Sequence, residues 1–591
     1  MKANVTDIRD LPAVQPESEL IERIQRRVEY LYGADQVAQV MQRLTQSLHE
    51  HLQKRPRPVS EKYWTHEDIA LITYGDAVRS MEMMPLQTLH TFLNKYLMEE
   101  FSMVHLLSIF PWSSDHGFSV TDFRAIDPQL GSWNDVVAFD NEYDLIYDLI
   151  LNHCSRKNQW FIDYIEGREP ACHFFIEMDT ETELGLVTRP RTSPLLSEVG
   201  THKGLRHVWT TFSSDQVDMN FNYPGVLLEF IDILLHYYRH GARVVRLDAV
   251  AYLWKEVGTS CIHLPQTHQI VKLIRDVLDI VEPEALIMTE TNVPHAENIS
   301  YFGDGDEAHL IYQFSLPPLL LHALYAGNTR YLNQWACALE AMALPPGCTF
   351  FNFTASHDGV GLRPLEGLVP LAEVDAMVEE MCRRGGYVSR RMTPEGVESP
   401  YELNISYFDA FRHPDPAENQ WHINAYMVSQ AVALSLKGIP AVYIHSLTAT
   451  PNDHKGVRLT GVNRDINRRK WDREQLEALI ENSYCETSRV FWEYKRMLGI
   501  RRRQKAFHPA ASQHVLALGN GLFGIERVAP DGSQRIIALY NFTPAVQEVT
   551  GTQLPADLKS WAELIGKADI NGRDDSVMLS PYASCWFSKT T

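Results

Sequence analysis

Residues 241–250 read GARVVRLDAV. It is a short apolar strand carrying an arginine and a carboxylate, Arg246 and Asp248, near its end. Side chains alternate along a strand, so residues two apart share a face and these two are close enough to couple. A neighbouring guanidinium keeps an aspartate ionised, which suits a nucleophile and equally suits an ordinary ion pair. Taken alone, the segment leaves both readings open.

Working outward, the same rhythm recurs. Short apolar runs occur at ALITYGD, VHLLSIFPW, DLIYDLILNH, ARVVRLDAV, ALIMTETNV, HLIYQF, CTFFNFTASHDG and GIPAVYIHS. Most are followed by a helix-like segment or a long polar loop. Continuous apolar strands alternating with helices indicate parallel strands covered on both faces. Eight of them predict an α/β fold, a (β/α)8 TIM barrel, whose chemistry sits at the C-terminal ends of the strands. The polar residues fall there: Asn152 and His153, Asp248, Glu290, His357 and Asp358.

The predicted domains follow from the breaks in this rhythm. Residues 1–60 form a helical N-terminal extension, with Leu20, Ile24, Val28 and Leu31, then Val37, Met41, Leu44 and Leu48, recurring at helical spacing. Residues 61–153 start the barrel. Roughly 85 residues separate the third and fourth runs, more than a barrel loop needs, so 154–240 reads as an inserted subdomain over the mouth. Residues 241–510 complete the barrel, and 511–591 read as a C-terminal antiparallel β domain with Gly and Asp turns.

Composition limits the function classes. The chain has 591 residues, 45% of them hydrophobic and 22% charged, as in ordinary globular proteins. A net charge of −21 argues against nucleic-acid or anionic-membrane partners. The eight cysteines, Cys154, Cys172, Cys261, Cys337, Cys348, Cys382, Cys485 and Cys585, form no CxxC pair, so reduced buried thiols are expected. The start MKANVTDIRDLP lacks the apolar core of a signal peptide. A cytoplasmic location is expected.

Three acids close three different strands: Asp248, Glu290 and Asp358. Retaining glycoside chemistry needs a nucleophilic carboxylate and a second carboxyl about 5–5.5 Å away that serves as acid and then base. A short Asp suits the nucleophile. A longer Glu beside it can keep its proton near neutral pH. A third acid, with His357, can grip hydroxyls and stabilise positive charge at the anomeric carbon. RLD alone fits a structural ion pair equally well, and SHDG alone is usually a turn. Their order on successive strands is the stronger signal.

DLILNH, GARVVRLDAV, IMTETNVPH and ASHDG resemble the four ordered motifs of the α-amylase superfamily, glycoside hydrolase family 13. FPWSSDHGFSVTDFRAIDPQLGSW, TRPRTSPLL, VWTTFSSDQVDMNFNYP and NRDINR resemble its sucrose phosphorylase branch. The resemblance implies Asp248 as nucleophile, Glu290 as general acid/base and Asp358 as transition-state stabiliser. It implies glucosyl binding by Asp115, His153, Arg246 and His357, with Gln216 and Arg464 as looser matches. The implied reaction is double displacement through a covalent β-glucosyl ester, with inorganic phosphate as second nucleophile and α-glucose 1-phosphate as product. It needs no cofactor, and no metal site is apparent in the sequence.

Arg189 and Arg191 in the inserted segment are expected near the mouth, where a guanidinium fork suits a phosphate oxygen. Relatives that use sucrose carry Tyr-Arg-Pro-Arg, whereas this chain has Thr188 ahead of Arg189. GVGLRPLEGLVP and ESPYELNISYFDAF are more similar to phosphorylases of glucosylglycerol, glucosylglycerate or sucrose 6-phosphate. A charged acceptor would take a cation from Arg191, Arg363 or His413. Glycerol would take hydroxyl partners such as Asp415, Glu418 or Gln420. The expected enzyme is a hexosyltransferase that phosphorolyses a small glycerol-type α-glucoside, as a monomer or homodimer. Sucrose or sucrose 6-phosphate phosphorylase, and an α-glucosidase or transglucosylase, are the alternatives.

Overall fold

The computed structural model describes residues 8, 18–54, 63–393, 397–566, 568–570 and 576–590. All eight apolar runs become parallel strands of one closed barrel: β1 (Ala70–Tyr74), β2 (Met103–Leu107), β3 (Asp144–Ile150), β4 (Ala242–Asp248), β5 (Leu286–Thr289), β6 (Leu310–Tyr312), β7 (Thr349–Phe353) and β8 (Ile439–Tyr443). β1 pairs with both β2 and β8, closing the ring. Every residue of β1, β2, β5, β7 and β8 is buried, which explains why these strands read as unbroken apolar runs.

The register of β3 against β4 places Asp148 beside Arg246 and Ile150 beside Asp248. Arg246 and Asp248 therefore share the inward face with a third charge, Asp148, contributed by the neighbouring strand.

Two helices open the chain, α1 (Ser18–Tyr32) and α2 (Ala34–Lys54). Their apolar stripes, Ile21, Ile24, Val28 and Leu31, then Val40, Met41, Leu44 and Leu48, enter the main core. The expected extension thus packs on the barrel as helical periodicity requires. Its last residues, 55–60, lie outside the described residues.

Of residues 154–240, read from sequence as one insertion, the last part forms a helix of the barrel wall, α3 (Pro224–Arg239), with Pro at its start. The preceding part carries the hairpin Leu196–Thr201/Gly204–Trp209 and a short ladder between His153–Ser155 and Gln216–Asp218. Helix α4 (Pro265–Val281) joins β4 to β5. A second excursion, between β7 and β8, contains the hairpin Tyr387–Met392/Glu398–Asn404. Its strands, YVSRRM and ESPYELN, lack the apolar continuity that exposed the barrel in the sequence.

The C-terminal region has a five-stranded antiparallel sheet and a three-stranded one. It is tied to the barrel by Tyr540, which donates to Ser435 at 2.6 Å, and by buried Arg527, which donates to the Ser435 carbonyl at 2.6 Å. All eight cysteines are free. Burial holds for Cys154, Cys261, Cys348 and Cys585, whereas Cys337 and Cys382 are exposed, contrary to the expectation of uniformly buried thiols. No helix among the described residues is long and apolar enough to cross a membrane.

Candidate active site

Arg246 Nη1 donates to Asp148 at 2.7 Å and to Asp248 at 2.8 Å. Its Nη2 lies 4.0 Å from Glu290. Asp148, fully buried, also faces His105 Nε2 at 3.1 Å and accepts the Ser108 backbone N–H at 3.2 Å. One guanidinium thus anchors the barrel interior to both carboxyls at the mouth. Ala249, immediately after Asp248, takes a left-handed conformation with φ 52° and donates its N–H to Glu290 at 3.0 Å. Such strain at a non-glycine residue persists where the surroundings over-determine it, and here it aims a donor at a functional carboxyl.

Asp358 approaches from the end of β7. Arg464 pairs with it at 2.6 Å and forks onto buried Glu402 at 3.0 and 2.6 Å. His357 lies 3.6 Å from Asp358 and stacks on Phe118, with ring centres 4.7 Å apart. On the opposite wall, Gln216 donates to Asp115 at 3.2 Å and lies 3.1 Å from His153. Asp115 and His116 both have positive φ, 53° and 48°, and Gly117 follows with φ 106°. A Cβ at Gly117 would stand 2.5 Å from that of Ser108, so the turn requires glycine.

These groups enclose a cavity of about 640 Å³ that opens to solvent. Asp115, His153, Gln216, Asp248, Glu290, His357, Asp358, Arg464 and Arg191 all line it. Arg246, expected to bind the glucosyl unit, does not line it; it is buried behind Asp248 and reaches the cavity only through the carboxyls it holds.

Burial raises the Asp248 carboxyl well above its ordinary value; Arg246 opposes this, and Glu290, Asp148 and Asp358 reinforce it. Burial likewise raises Glu290. Against the same burial cost, Arg464, His357 and Arg246 hold Asp358 well below the usual carboxylate range. These surroundings keep Asp358 as an anion and favour a proton on the Asp248/Glu290 pair. Arg246 donates directly to Asp248 at 2.8 Å and stands 4.0 Å from Glu290, while Glu290 accepts the Ala249 N–H. Burial depresses His357 and His153, which leaves them as neutral hydrogen-bonding rings.

The charged rim differs from its sequence reading. Arg191 faces the cavity, its guanidinium 5.8 Å from the Phe212 ring and 5.2 Å from the Tyr401 ring. Arg189 turns away and donates to the Thr192 and Ser193 carbonyls of its own loop. Arg363 is buried beside Glu297 and Glu366, at 3.9 and 3.7 Å, and does not line the cavity. His413 lines a separate cleft with Glu418, Gln420, Tyr325 and Tyr582. Asp415 is spent on the N-terminus of its own turn, accepting from the Ala417 N–H. Of the seven expected acceptor or phosphate residues, only Arg191 thus lines the cavity; Glu418 and Gln420 lie with His413 in the separate cleft.

Sequence reasoning missed Tyr252, Asn292, Tyr401 and Phe212, all of which line the cavity. Asn292 is two residues beyond Glu290, a spacing that offered a signal. Tyr401 comes from the second excursion and carried none. Also missed was a buried support behind His153: Lys255 Nζ lies 2.7 Å from Asp218 and donates to Asn152 at 2.6 Å. A single group of donors suited to a metal was found among the described residues, Glu169, Cys172 and His173, outside this cavity.

The α-amylase catalytic-domain family profile matches residues 96–344. The glucosylglycerate phosphorylase of Spirochaeta thermophila is 43% identical over 585 residues, spanning 96% of this chain and 99% of that protein. The chain belongs to the α-amylase family, in its glycoside phosphorylase branch. A second member, the glucosylglycerate phosphorylase of Escherichia coli K12, is 39% identical over 569 residues and spans 96% and 99% of the two chains. The fold is shared with sucrose 6F-phosphate phosphorylase from Thermoanaerobacter thermosaccharolyticum, at TM-score 0.71 and 24% identity over 82% of this chain and 96% of that one. Membership in this branch makes the protein a glycosyltransferase.

Proposed function

We propose that this family member phosphorolyses an α-glucoside of glycerate, giving α-glucose 1-phosphate and glycerate with retained configuration. The glucosyl unit rests against Asp115, His153 and His357, with Arg246 beneath and Asp358 beside the anomeric carbon. An Asp248 oxygen attacks that carbon while Glu290 gives its proton to the departing glycerate oxygen, leaving a β-glucosyl ester. A phosphate oxygen then attacks from the vacated side. Glu290 takes the phosphate proton, and the Asp248 carboxylate leaves.

Arg191 carries this reading. Among the described residues no carboxylate pairs with it, and two aromatic rings hold it at the cavity. A guanidinium presents parallel donors that suit both a carboxylate and a phosphate. One arginine thereby serves the glycerate carboxylate in the first half-reaction and phosphate in the second. A neutral glycerol acceptor would give that charge no anionic partner in the first half-reaction, and the names of the relatives at 43% and 39% identity favour glycerate as well.

The test supplies 2-O-α-glucosylglycerate with phosphate and measures both products. Equal amounts of glucose 1-phosphate and glycerate are expected, with slow turnover when phosphate is omitted. Free glucose without glucose 1-phosphate, or faster turnover of glucosylglycerol or sucrose, overturns the proposal.

A further inference from the structure

Helices α1 and α2 lie outside the barrel and contribute nothing to the cavity lining. Their polar contacts converge on two barrel helices. One is α3, which leads into β4 and Asp248; the other is α4, which leads into β5 and Glu290. Arg23 donates to Asp276 on α4 at 2.6 and 2.8 Å, and Arg27 donates to the other oxygen of the same carboxylate at 2.7 Å. Asp276 is fully buried, and its ion-pair partners among the described residues, Arg23 and Arg27, both come from α1. Arg27 also reaches Gln269 in the first turns of α4 at 2.9 Å and Asp306 at 3.1 Å.

At the other end of the pair, buried His51 on α2 lies between the two barrel helices. Its Nδ1 is 3.2 Å from Arg239, the last residue of α3. Its Nε2 is 2.8 Å from Glu282, the first residue past α4. Strands β4 and β5 begin a few residues beyond each of these points. Near the barrel mouth, Tyr32 at the end of α1 packs on Trp254, with ring centres 6.5 Å apart. Trp254 follows the turn Val250–Tyr252 that continues directly from Asp248.

We propose that the N-terminal helical pair is a brace that sets the position of Glu290 relative to Asp248, with Arg27 and His51 as positioning residues for proton transfer. The brace grips α4 along its length and ties its end to the end of α3. β4 and β5 start within a few residues of the ends of α3 and α4, so a shift of either helix end is passed to its strand. A small displacement of an acid from its leaving group is costly in rate, while the fold tolerates it.

The test compares two donors in the full-length chain. One is the glucoside that the unmodified enzyme phosphorolyses, whose leaving group needs the Glu290 proton. The other is α-glucosyl fluoride, whose leaving group departs with little help from an acid. Arg27→Met and His51→Gln are each expected to keep the far-ultraviolet circular dichroism of the parent. Each should lower kcat/KM for the glucoside by about tenfold, and that for the fluoride by less than about threefold. Equal losses on both donors would make the helices a purely structural support and overturn the proposal, as would unchanged activity on both. The choice of glucoside follows the unmodified enzyme, so a different natural acceptor leaves the comparison intact.

Discussion

Arg464 Nη1 stands 2.6 Å from Asp358 Oδ1, joining the end of β7 to a turn beyond β8. The pair keeps Asp358 ionised in its largely buried position. A carboxyl held below its unfolded value adds stability above that unfolded value, and the gain is lost as pH falls through the folded one. Arg464→Gln removes the main counter-charge. It is expected to cut kcat/KM by about 10²–10³-fold and to move the acidic limb of the pH–rate profile upward. An unmoved limb would show that Arg464 does not control this carboxyl.

Asp248 carries the opposite shift. Its folded value lies above its unfolded one, so its contribution to stability is full below the unfolded value and declines as pH rises through the folded one. At neutral pH the charge is a cost of the site. Asp248→Asn is expected to lower turnover by about 10³-fold or more while raising the thermal midpoint at pH 7 by ~1–3 °C. Scanning calorimetry beside a turnover assay checks both. Glu290→Gln should show a comparable loss of turnover with the fold intact.

Lys255 and Asp218 form a buried ion pair, with side chains 3% and 0% exposed. Asp218 also accepts from the Thr211 N–H and hydroxyl and from Asn152. Lys255→Met leaves that carboxylate without its cation, a change that costs about 3–5 kcal/mol in buried pairs. The expected result is a lowered thermal midpoint and loss of hydrogen-exchange protection around His153–Ser155. Unchanged protection would place the support of His153 elsewhere.

Arg189 and Arg191 should separate cleanly. Arg191→Ala is expected to raise KM for phosphate and for glycerate by at least about tenfold, the loss of one charge-assisted contact. Arg189→Ala, which loses only bonds to its own loop, should change either KM by less than about twofold, and so should His413→Ala. Initial rates in both directions decide this. An effect of Arg189→Ala equal to that of Arg191→Ala would mean that the loop turns over during catalysis.

The barrel and its three acids were legible because their signals are local or periodic. Eight buried parallel strands must be apolar throughout, and a carboxyl at the end of such a strand is conspicuous. Phe118, Tyr252 and Tyr401 gave no comparable sign, since an aromatic residue in a loop looks the same whether it packs a core or lines a pocket. Arg189, Arg191, Arg363 and His413 looked equally suited to an anion. Only the carbonyls and carboxylates that each meets after folding set them apart.

Sequence by itself determined the (β/α)8 architecture, the helical extension and the order of Asp248, Glu290 and Asp358, because burial pattern and spacing are properties of the chain. Tertiary structure decided which charges meet. Asp148 reaches Arg246 only through the register of β3 against β4, Arg464 reaches Asp358 only after β8 closes the ring, and Arg191 meets Phe212, Tyr401 and the Pro190 carbonyl but no carboxylate among the described residues. Electrostatic coupling depends on distance and burial, and neither exists until the barrel has closed.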